Sequence, residues 1–244
     1  MAMRKLGKPF LLSTTVVLFG LHMTSWIGED AGFRVQHIAV EGVAYFDAES
    51  VRSLAQEALG KRIFDVDLAP IQERVEALPF VQQAHVARLF PSTLEIAITE
   101  RRPVALLNRK SLRPVDGTGF VLPRLEAGVT FDVPVLSGVP TRAEGANTLV
   151  AETGMPALEF INAMYAHCPL LYHQISEFYF DARGNLTLFL LASGAPVYLG
   201  NEHWLERCGR LQTVLRQISM RSEKTAAIDL RFDHQVVTKG EAEP

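Results

Sequence analysis

The order of short patterned segments between Val35 and Leu107 restricts the fold of this 244-residue chain more than any other feature. The segment from Val35 to Gly42 alternates apolar and polar residues and stops at a glycine, which is typical of a half-buried β-strand. Asp47 and Asp67 then stand where helix N-caps are expected, each just after an apolar residue suited to a hydrophobic staple. These signals predict one strand followed by two short helices.

Each predicted helix carries an apolar stripe on one face. The first stripe consists of Val51, Leu54, Ala55, Ala58 and Leu59, and the second of Leu68, Ile71, Val75 and Leu78. Gly60 is expected to follow the first helix as a C-cap, whereas Pro70 lies in the tolerant first turn of the second. Pro79 ends the second helix. Both helices are therefore predicted to be short and amphipathic.

A β-hairpin is predicted after the helices. Ala84 and Val86 share one side of its first strand, and residues 90–92 form the turn. On the return strand the inward positions are Leu94, Ile96 and Ile98, and the outward positions are Thr93, Glu95 and Thr99. The segment as a whole is thus predicted to follow the order β-α-α-β-β.

An uncharged stretch at residues 9–27 precedes this segment. Its length is close to the roughly 20 residues that one helix needs to cross a bilayer. Basic residues precede it and acidic residues follow it, so the positive-inside rule places residues 1–8 in the cytoplasm and the rest of the chain outside. An uncleaved signal anchor is favoured over a cleaved signal peptide, because the apolar region is long and no clean cleavage site ends it. The predicted anchor residues are Phe10, Leu11, Leu12, Val16, Val17, Leu18, Phe19, Leu21 and Trp26.

The chain after residue 103 changes to short strands separated by turns. Asp116-Gly117 is a strong hairpin signal, and residues 141–153 are polar enough to be predicted as a loop. Residues 239–244 are predicted to form a loose tail. The predicted strand segments are 104–107, 113–122, 133–139, 175–180, 186–191, 196–200 and 226–232.

Two longer amphipathic helices interrupt these strands. The first is predicted from Pro156 to about His167, and the second is capped by Asn201. Their stripes are Leu158, Ile161 and Tyr165 for the first helix, and Leu205, Cys208, Leu211, Leu215 and Ile218 for the second. The chain is therefore predicted to be an α+β protein.

Composition and cysteine usage exclude some classes of function. The net charge of −3 leaves no basic excess, so nucleic acid is not an expected partner. Cys168 and Cys208 are the two cysteines. An exported domain permits a disulfide between them, although two isolated cysteines on apolar helix faces are more typical of buried free thiols. Both alternatives remain open at this point.

The signatures of common catalytic and metal sites are absent from the sequence. Neither a GxSxG nor an SxxK serine motif occurs, and neither does HExxH or a GxxxxGK[ST] loop. His167 and His173 lie near Cys168, but their spacing matches no standard metal site. Asp65 and Asp67 are better explained as a turn residue and a helix cap than as an acid–base pair. No catalytic residue, metal or cofactor is predicted.

The β-α-α-β-β segment resembles a POTRA (polypeptide-transport-associated) domain. The specific match runs from Phe80-Val81 through Arg88-Leu-Phe-Pro-Ser-Thr-Leu94 to Thr99-Glu-Arg-Arg-Pro-Val-Ala105. Behind one apolar N-terminal segment, this run resembles the bacterial FtsQ/DivIB family of division proteins. The resemblance implies a POTRA domain at residues 34–103 and the β-domain of that family at residues 104–238.

That resemblance also implies a function and partners. Members of the family are non-enzymatic scaffolds of the divisome, which link early and late division proteins. A protein of this kind is expected in the inner membrane, as a single-pass protein with a periplasmic C-terminal region, enriched at the septum. Its β-domain is expected to recruit the FtsB–FtsL complex and so to control septal peptidoglycan synthesis.

The last predicted strand region carries the candidate partner-binding residues, which are Asp229, Leu230, Arg231, Phe232, Val236 and Val237. Apolar and charged residues alternate there, so one face is core and the other is charged. An ordinary half-exposed strand and an edge that accepts a partner's strand both explain this pattern. The resemblance adds weight to the second explanation, because FtsQ-like proteins bind FtsB through this region.

A second candidate surface is the charged run Glu100-Arg101-Arg102 at the exit of the POTRA segment. Such a run is usually a solvated strand end, and its position also suits docking of other divisome proteins or an inter-domain role. The main alternative function is a POTRA-bearing component of protein transport or outer-membrane assembly. Such proteins carry a many-stranded barrel after the POTRA region, for which the chain after Leu107 is short. An exported enzyme of another type is a further alternative, which would need a polar pocket.

Overall fold

A computed structural model describes residues 33–124, 131–145, 147–221, 225–232 and 235–240. The chain divides into two compact units, with the boundary between Glu100 and Arg101. Among the described residues, no helix has the length and apolar character needed to span a bilayer. The predicted anchor at residues 9–27 lies outside the described residues.

The N-terminal unit has the predicted order β-α-α-β-β. Its central strand is β3, which pairs with β1 in parallel and with β2 in an antiparallel ladder. The elements are β1 (His37–Glu41), α1 (Ala48–Ala55), α2 (Ala69–Glu76), β2 (Val81–Leu89) and β3 (Thr93–Glu100), with a 3₁₀ turn at Gln56–Ala58 after α1. The POTRA-type arrangement is therefore confirmed.

Local capping explains where the two helices of this unit begin. The Asp47 carboxylate accepts hydrogen bonds from the backbone N–H groups of Glu49 and Ser50, at 3.1 and 3.3 Å. Asp67 accepts one from the N–H of Ala69, the first residue of α2. It is not the predicted N-cap, because the N-cap is Leu68, which makes no side-chain cap hydrogen bond. Gly60 has φ +78°, as predicted for a residue that follows a helix.

One position in the first predicted stripe is wrong. Leu59 is 45% exposed, because α1 ends at Ala55 and the following 3₁₀ turn changes the direction in which later side chains point. The hairpin is confirmed, since the side chains at 94, 96 and 98 are buried. They form the core with the helix residues Val51, Ile71 and Val75.

The C-terminal unit is built on one eleven-stranded mixed sheet in the order β14-β13-β12-β11-β10-β7-β4-β5-β6-β9-β8. Its strands are β4 (Pro103–Asn108), β5 (Leu112–Asp116), β6 (Phe120–Val121), β7 (Val135–Ser137), β8 (Thr141–Glu144), β9 (Asn147–Val150), β10 (Ile175–Phe180), β11 (Leu186–Leu190), β12 (Pro196–Gly200), β13 (Thr225–Asp229) and β14 (Val237–Gly240). The β-rich character predicted for this region is confirmed.

Helices cover one face of this sheet. They are α3 (Met155–His167), α4 (Pro169–Tyr172) and α5 (Trp204–Arg221). Phe160 of α3 packs edge-on against Phe178 of β10 and against Trp204 of α5, with ring centres 6.1 and 5.5 Å apart. The two predicted amphipathic helices are therefore present.

The structure corrects three details predicted for these two helices, two in their apolar stripes and one at a cap. Tyr165 is 52% exposed and Leu205 is 49% exposed, so both lie at the solvent border of their helices. Asn201 is not the cap of the second helix, because α5 begins at Trp204 and Asn201 lies in the preceding turn. The buried positions Cys208 and Leu211 are as predicted.

Two segments predicted to lack secondary structure form strands. Residues 141–153 contain the hairpin β8–β9, in which only Val150 is buried among the residues of the two strands. A strand pair with so little buried surface shows no apolar alternation in its sequence. Lys239 and Gly240, assigned above to the tail, belong to β14 and pair with β13.

Candidate functional site

The candidate residues at the end of the sequence lie on or beside the last two strands of the sheet. Ile228 and Leu230 are fully buried, whereas Asp229 and Arg231 project from the other face. The backbone N–H of Leu230 donates to the carbonyl of Tyr198 on β12, at 2.9 Å. The predicted alternation of apolar and charged residues is confirmed from Ile228 to Arg231, but it is wrong for Phe232, which was assigned to the core face and is exposed beyond the end of β13.

The strand that carries Asp229 is not the edge of the sheet, so the explanation as an ordinary half-exposed strand holds for it. β13 lies between β12 and β14, so both of its sides are already paired. Among the described residues, the edge strand at this end of the sheet is β14, and all four of its residues are exposed. A strand that adds to this end of the sheet would have to pair with β14 rather than with the Asp229–Phe232 segment.

An ion pair orders the chain where β13 ends. The Arg231 guanidinium donates to both carboxylate oxygens of Asp229, with Nε 2.9 Å from Oδ1 and 3.1 Å from Oδ2. The backbone N–H of Arg231 also donates to Asp229 Oδ1, at 3.0 Å. These hydrogen bonds hold the pKa of Asp229 below its ordinary value and raise that of Arg231. The guanidinium carbon lies 5.4 Å from the centre of the Tyr198 ring.

Phe232 and Val237 are the exposed apolar members of the candidate set. Phe232 is 46% exposed, and its carbonyl accepts a hydrogen bond from Arg210 Nη1 of α5, at 2.8 Å. Val237 is 47% exposed at the start of β14, whereas Val236 packs against the core. The predicted set therefore divides into core residues, an ion pair and two exposed apolar side chains.

Tyr198 of β12 extends this surface beyond the last two strands, whereas Tyr179 of β10 lies four strands from Val237 and outside this surface. The strand register places Tyr179, Thr187, Tyr198, Asp229 and Val237 in one row on the face opposite the helices. Tyr198 is 37% exposed and Tyr179 is 43% exposed. Sequence analysis missed Tyr198 as a site residue. Its alternation with the buried Val197 and Leu199 was the available signal for an outward side chain.

The start of α5 ties β12 to the helical layer. The indole N–H of Trp204 donates to the Gly200 carbonyl, at 2.9 Å. Arg207 is only 3% exposed and donates to the Leu199 carbonyl through Nη1. A buried guanidinium that bonds to a backbone carbonyl limits how far this part of the sheet can move relative to α5. The strand β12 beside the candidate residues is therefore well anchored to the helical layer.

The opposite edge of the same sheet is β8. Arg142 and Glu144 alternate along it and form an ion pair, with Nη2 3.1 Å from Oε2. Both side chains are more than half exposed. Charges placed in this way oppose the addition of another strand.

The charged run at the exit of the first unit is more ordered than the sequence suggested. Glu100 is 8% exposed, and its Oε1 accepts hydrogen bonds from the N–H groups of Ala44 and Tyr45, at 2.7 and 3.0 Å. Arg101 donates to Asp116 Oδ2 at 2.7 Å. The interpretation as a solvated strand end is therefore wrong for Glu100, while Arg102 is exposed as expected.

Arg101 also stacks on an aromatic ring within the second unit. Its guanidinium carbon lies 4.2 Å from the centre of the Phe120 ring. Asp116, only 3% exposed, additionally accepts from the N–H groups of Thr118 and Phe120. The predicted Asp116-Gly117 turn is thus held by the aspartate side chain.

The two cysteines do not form a disulfide. Cys168 and Cys208 are free thiols, and burial raises the pKa of Cys208 to about 12, so this thiol is not activated. Within the described ranges, no group of three or more histidine, cysteine, aspartate or glutamate side chains is arranged to hold a metal.

Comparisons with known proteins match both units of the chain. A family model described as "POTRA domain, FtsQ-type" matches residues 33–101. A second model, "Cell division protein FtsQ/DivIB, C-terminal", matches residues 105–231. The fold and these matches define a division protein of the POTRA-containing class.

Curated relatives agree over most of the chain. FtsQ of Rhodothermus marinus is 33% identical over 243 residues, which cover 96% of this chain and 87% of the relative. FtsQ of Syntrophotalea carbinolica is 29% identical over 212 residues, covering 86% of this chain and 75% of the relative. FtsQ of Salinibacter ruber is 29% identical over 247 residues, covering 98% and 93%. The chain belongs to the FtsQ/DivIB family of cell division proteins.

Proposed function

We propose that this protein is a non-enzymatic scaffold of the divisome that recruits the FtsB–FtsL complex through the β14 edge. The open edge of the C-terminal sheet carries the proposal. A partner strand that adds there gains main-chain hydrogen bonds, and the neighbouring side chains supply specificity. Phe232 and Val237 offer apolar contacts, while the Asp229–Arg231 pair offers charge.

The proposal includes a membrane-anchored topology. Residues 9–27 would cross the inner membrane once, with the N-terminus in the cytoplasm and both described units in the periplasm. Anchoring confines the protein and its anchored partners to one surface, which raises their effective concentration. In this arrangement the protein would concentrate at the septum and link early to late division proteins. Recruitment of FtsB–FtsL would then control septal peptidoglycan synthesis.

We also propose that upstream division proteins bind the charged run at which the POTRA domain ends, just beyond β3. Arg102 is the exposed member of the charged run there, whereas Glu100 and Arg101 are engaged in internal hydrogen bonds. Arg102→Glu should therefore weaken such contacts without unfolding the domain. Co-precipitation of division proteins from cells that carry this variant tests the assignment.

A binding experiment with a matched control tests the β14 proposal. The full-length protein in lipid nanodiscs is mixed with the FtsB–FtsL periplasmic segments of the same organism, and binding is measured by interferometry. Phe232→Glu places a charge beside the edge. Tyr179→Glu is the control, because Tyr179 is similarly exposed on the same sheet but lies four strands from Val237, about 19 Å away.

Loss of binding in Phe232→Glu together with retention in Tyr179→Glu is the expected outcome. Circular dichroism and a thermal melt check that both variants fold. Equal binding by the parent and by a folded Phe232→Glu variant would show that Phe232 is not part of the interface. Failure of the folded parent to bind would contradict recruitment of FtsB–FtsL.

A further inference from the structure

Three phenylalanines form a ring cluster at one end of the POTRA domain, in which Phe33 is half-buried against the core and the other two rings are exposed. The ring centres of Phe33 and Phe64 are 5.8 Å apart, and those of Phe64 and Phe90 are 5.3 Å apart. Phe64 is 52% exposed and Phe90 is 56% exposed. Leu89, next to Phe90, is 54% exposed. An exposed apolar patch of contacting rings is uncommon on a soluble domain and usually marks a binding surface.

This cluster lies at the end of the domain where the chain enters from the N-terminus. The N–H of Val35 donates to the Lys61 carbonyl, and that of Ile63 donates to the Phe33 carbonyl, at 2.9 and 2.8 Å. The N–H of Gln36 donates to the Ser92 carbonyl, just beyond Phe90. The entering chain, the loop that carries Phe64 and the β2–β3 turn that carries Phe90 are therefore held together.

A buried part of the same loop fixes the position of Phe64. The Arg88 guanidinium donates from Nε to the Ile63 carbonyl at 2.8 Å, and from Nη2 to the Val66 carbonyl at 2.7 Å. Ile63 and Val66 are themselves in the core. Because Arg88 holds the backbone on both sides of Phe64, the exposed Phe64 ring lies on a rigid loop.

Basic side chains border the aromatic cluster. Arg34, Lys61 and Arg62 are all exposed, and Arg34 also donates to the Gly60 carbonyl at 2.9 Å. Asp65 is the acidic neighbour, 3.9 Å from Arg62. Aromatic rings flanked by cations suit the interface of a bilayer that contains anionic phospholipids, where rings enter the headgroup region and cations meet phosphates.

The length of chain before Phe33 makes such a contact possible. The anchor proposed above ends at residue 27, so six residue steps connect it to Phe33. A fully extended chain advances at most about 3.6 Å per residue, which places Phe33 within about 22 Å of the end of the anchor. The cluster is thus tethered close to the bilayer, at the end of the domain nearest to the anchor in sequence.

We infer that the Phe33–Phe64–Phe90 cluster docks on the periplasmic surface of the membrane, with anionic phospholipid headgroups as its ligand. The inference rests on the proposed membrane anchor. Docking would give the POTRA domain a second attachment point besides the anchor, and would restrict its orientation relative to the membrane.

Tryptophan quenching by brominated lipids tests the contact in the full-length protein. The sequence contains two tryptophans, Trp26 in the proposed anchor and Trp204 in the C-terminal unit. In nanodiscs of phosphatidylcholine and phosphatidylglycerol, quenching of the parent reports on Trp26 and hence on the anchor itself. A Trp26→Phe background then receives Phe64→Trp or Phe90→Trp. Both are exposed positions, where the larger ring needs no repacking.

Tyr45→Trp in the same background is the matched control. Tyr45 is 45% exposed but follows the other end of β1, near the end of β3. The seven residue steps of β3 separate the two ends by about 24 Å. Both cluster variants should lose roughly half of their emission in brominated discs, since interfacial side chains reach about 5–10 Å into the headgroup boundary. Tyr45→Trp should lose little.

The charge of the lipids gives an independent readout. Lys61→Glu with Arg62→Glu, or discs of phosphatidylcholine alone, should reduce quenching at position 64. An unquenched Trp26 in the parent would contradict the anchor. Quenching of Trp26 without quenching of the tryptophans at positions 64 and 90 would overturn docking of the cluster and would leave the anchor supported. Equal quenching of the cluster and of Tyr45→Trp would also overturn it, because the contact would then not be specific to the cluster.

Discussion

The two open edges of the eleven-stranded sheet differ in charge and in the strand that supports each of them. β8 carries the Arg142–Glu144 ion pair and lies beside β9, whose buried residue is Val150. β14 carries one charge, Lys239, and lies beside β13, where Ile228 is fully buried. Alternating charges discourage a further strand, so β8 has a feature that protects edges and β14 largely lacks it. The difference indicates that β14 is the edge suited to a partner.

Removal of buried side chains beneath the two edges should have the largest effect. Leu230→Ala is expected to lower the free energy of unfolding by about 2–5 kcal/mol, because the side chain is fully buried. Val150→Ala removes two methyl groups and should cost about 1.5 kcal/mol. Urea unfolding measures both. Equal losses in the free energy of unfolding would show that Leu230 and Val150 stabilise the two ends of the sheet to the same extent.

Transfer of the charge pattern of β8 to β14 should weaken the proposed binding of FtsB–FtsL at β14. Val237→Arg combined with Lys239→Glu places opposite charges two residues apart on the exposed strand. Affinity for FtsB–FtsL should fall about tenfold, or about 1.4 kcal/mol. The free energy of unfolding should stay within about 0.5 kcal/mol of the parent, because both positions are exposed. Unchanged affinity in the folded variant would contradict strand addition at β14.

Acid should weaken the ion pair next to β14. The Arg231 hydrogen bond lowers the pKa of Asp229 below its ordinary value of 3.8, so the pair stabilises the folded state fully above that value. This stabilisation is lost as the pH falls through the lower pKa of the folded state. For a solvent-exposed pair the loss should be below about 1 kcal/mol. Urea unfolding between about pH 6 and pH 3 should therefore show a smaller acid loss for Asp229→Asn than for the parent.

Neutralisation of β8 should have the smallest effect on stability. Arg142→Thr with Glu144→Thr removes the exposed ion pair, and the free energy of unfolding should change by less than about 0.5 kcal/mol. Weak self-association should increase, since the edge loses its charges. Sedimentation velocity at rising protein concentration measures this change. A variant that stays as monomeric as the parent would show that β8 is protected in another way.

Strongly periodic segments were predictable from the sequence. Leu94, Ile96 and Ile98 face the core because one face of an antiparallel hairpin is buried and the other is not. Asp47 marks the start of a helix because its carboxylate accepts a hydrogen bond from a backbone N–H of the first turn. Gly60 marks the exit from that helix because it adopts a positive φ. The β8–β9 hairpin escaped prediction, because its two strands bury almost nothing and their sequence lacks a periodic signal.

The candidate site was only partly predictable. Leu230 is buried as predicted, but Phe232, which the alternation placed on the same core face, is 46% exposed, because β13 ends at Asp229 and the strand alternation stops there. Val237 is exposed in β14, and Val236 is partly buried against the core. Tyr198 joins the surface from another strand through a register that no local pattern reveals. Glu100 likewise bonds to backbone groups 55 and 56 residues away in the sequence.

The sequence by itself determined the order of the strongly periodic elements and which face of most of them is apolar, since both follow from short-range periodicity and capping. Only the tertiary structure decided which strand forms the open edge. Residues Val237 to Gly240 show no apolar alternation, yet they pair with β13 through backbone groups. Every residue type accepts backbone hydrogen bonds between strands, and every type except proline donates them, so side-chain chemistry does not encode which strand is left unpaired.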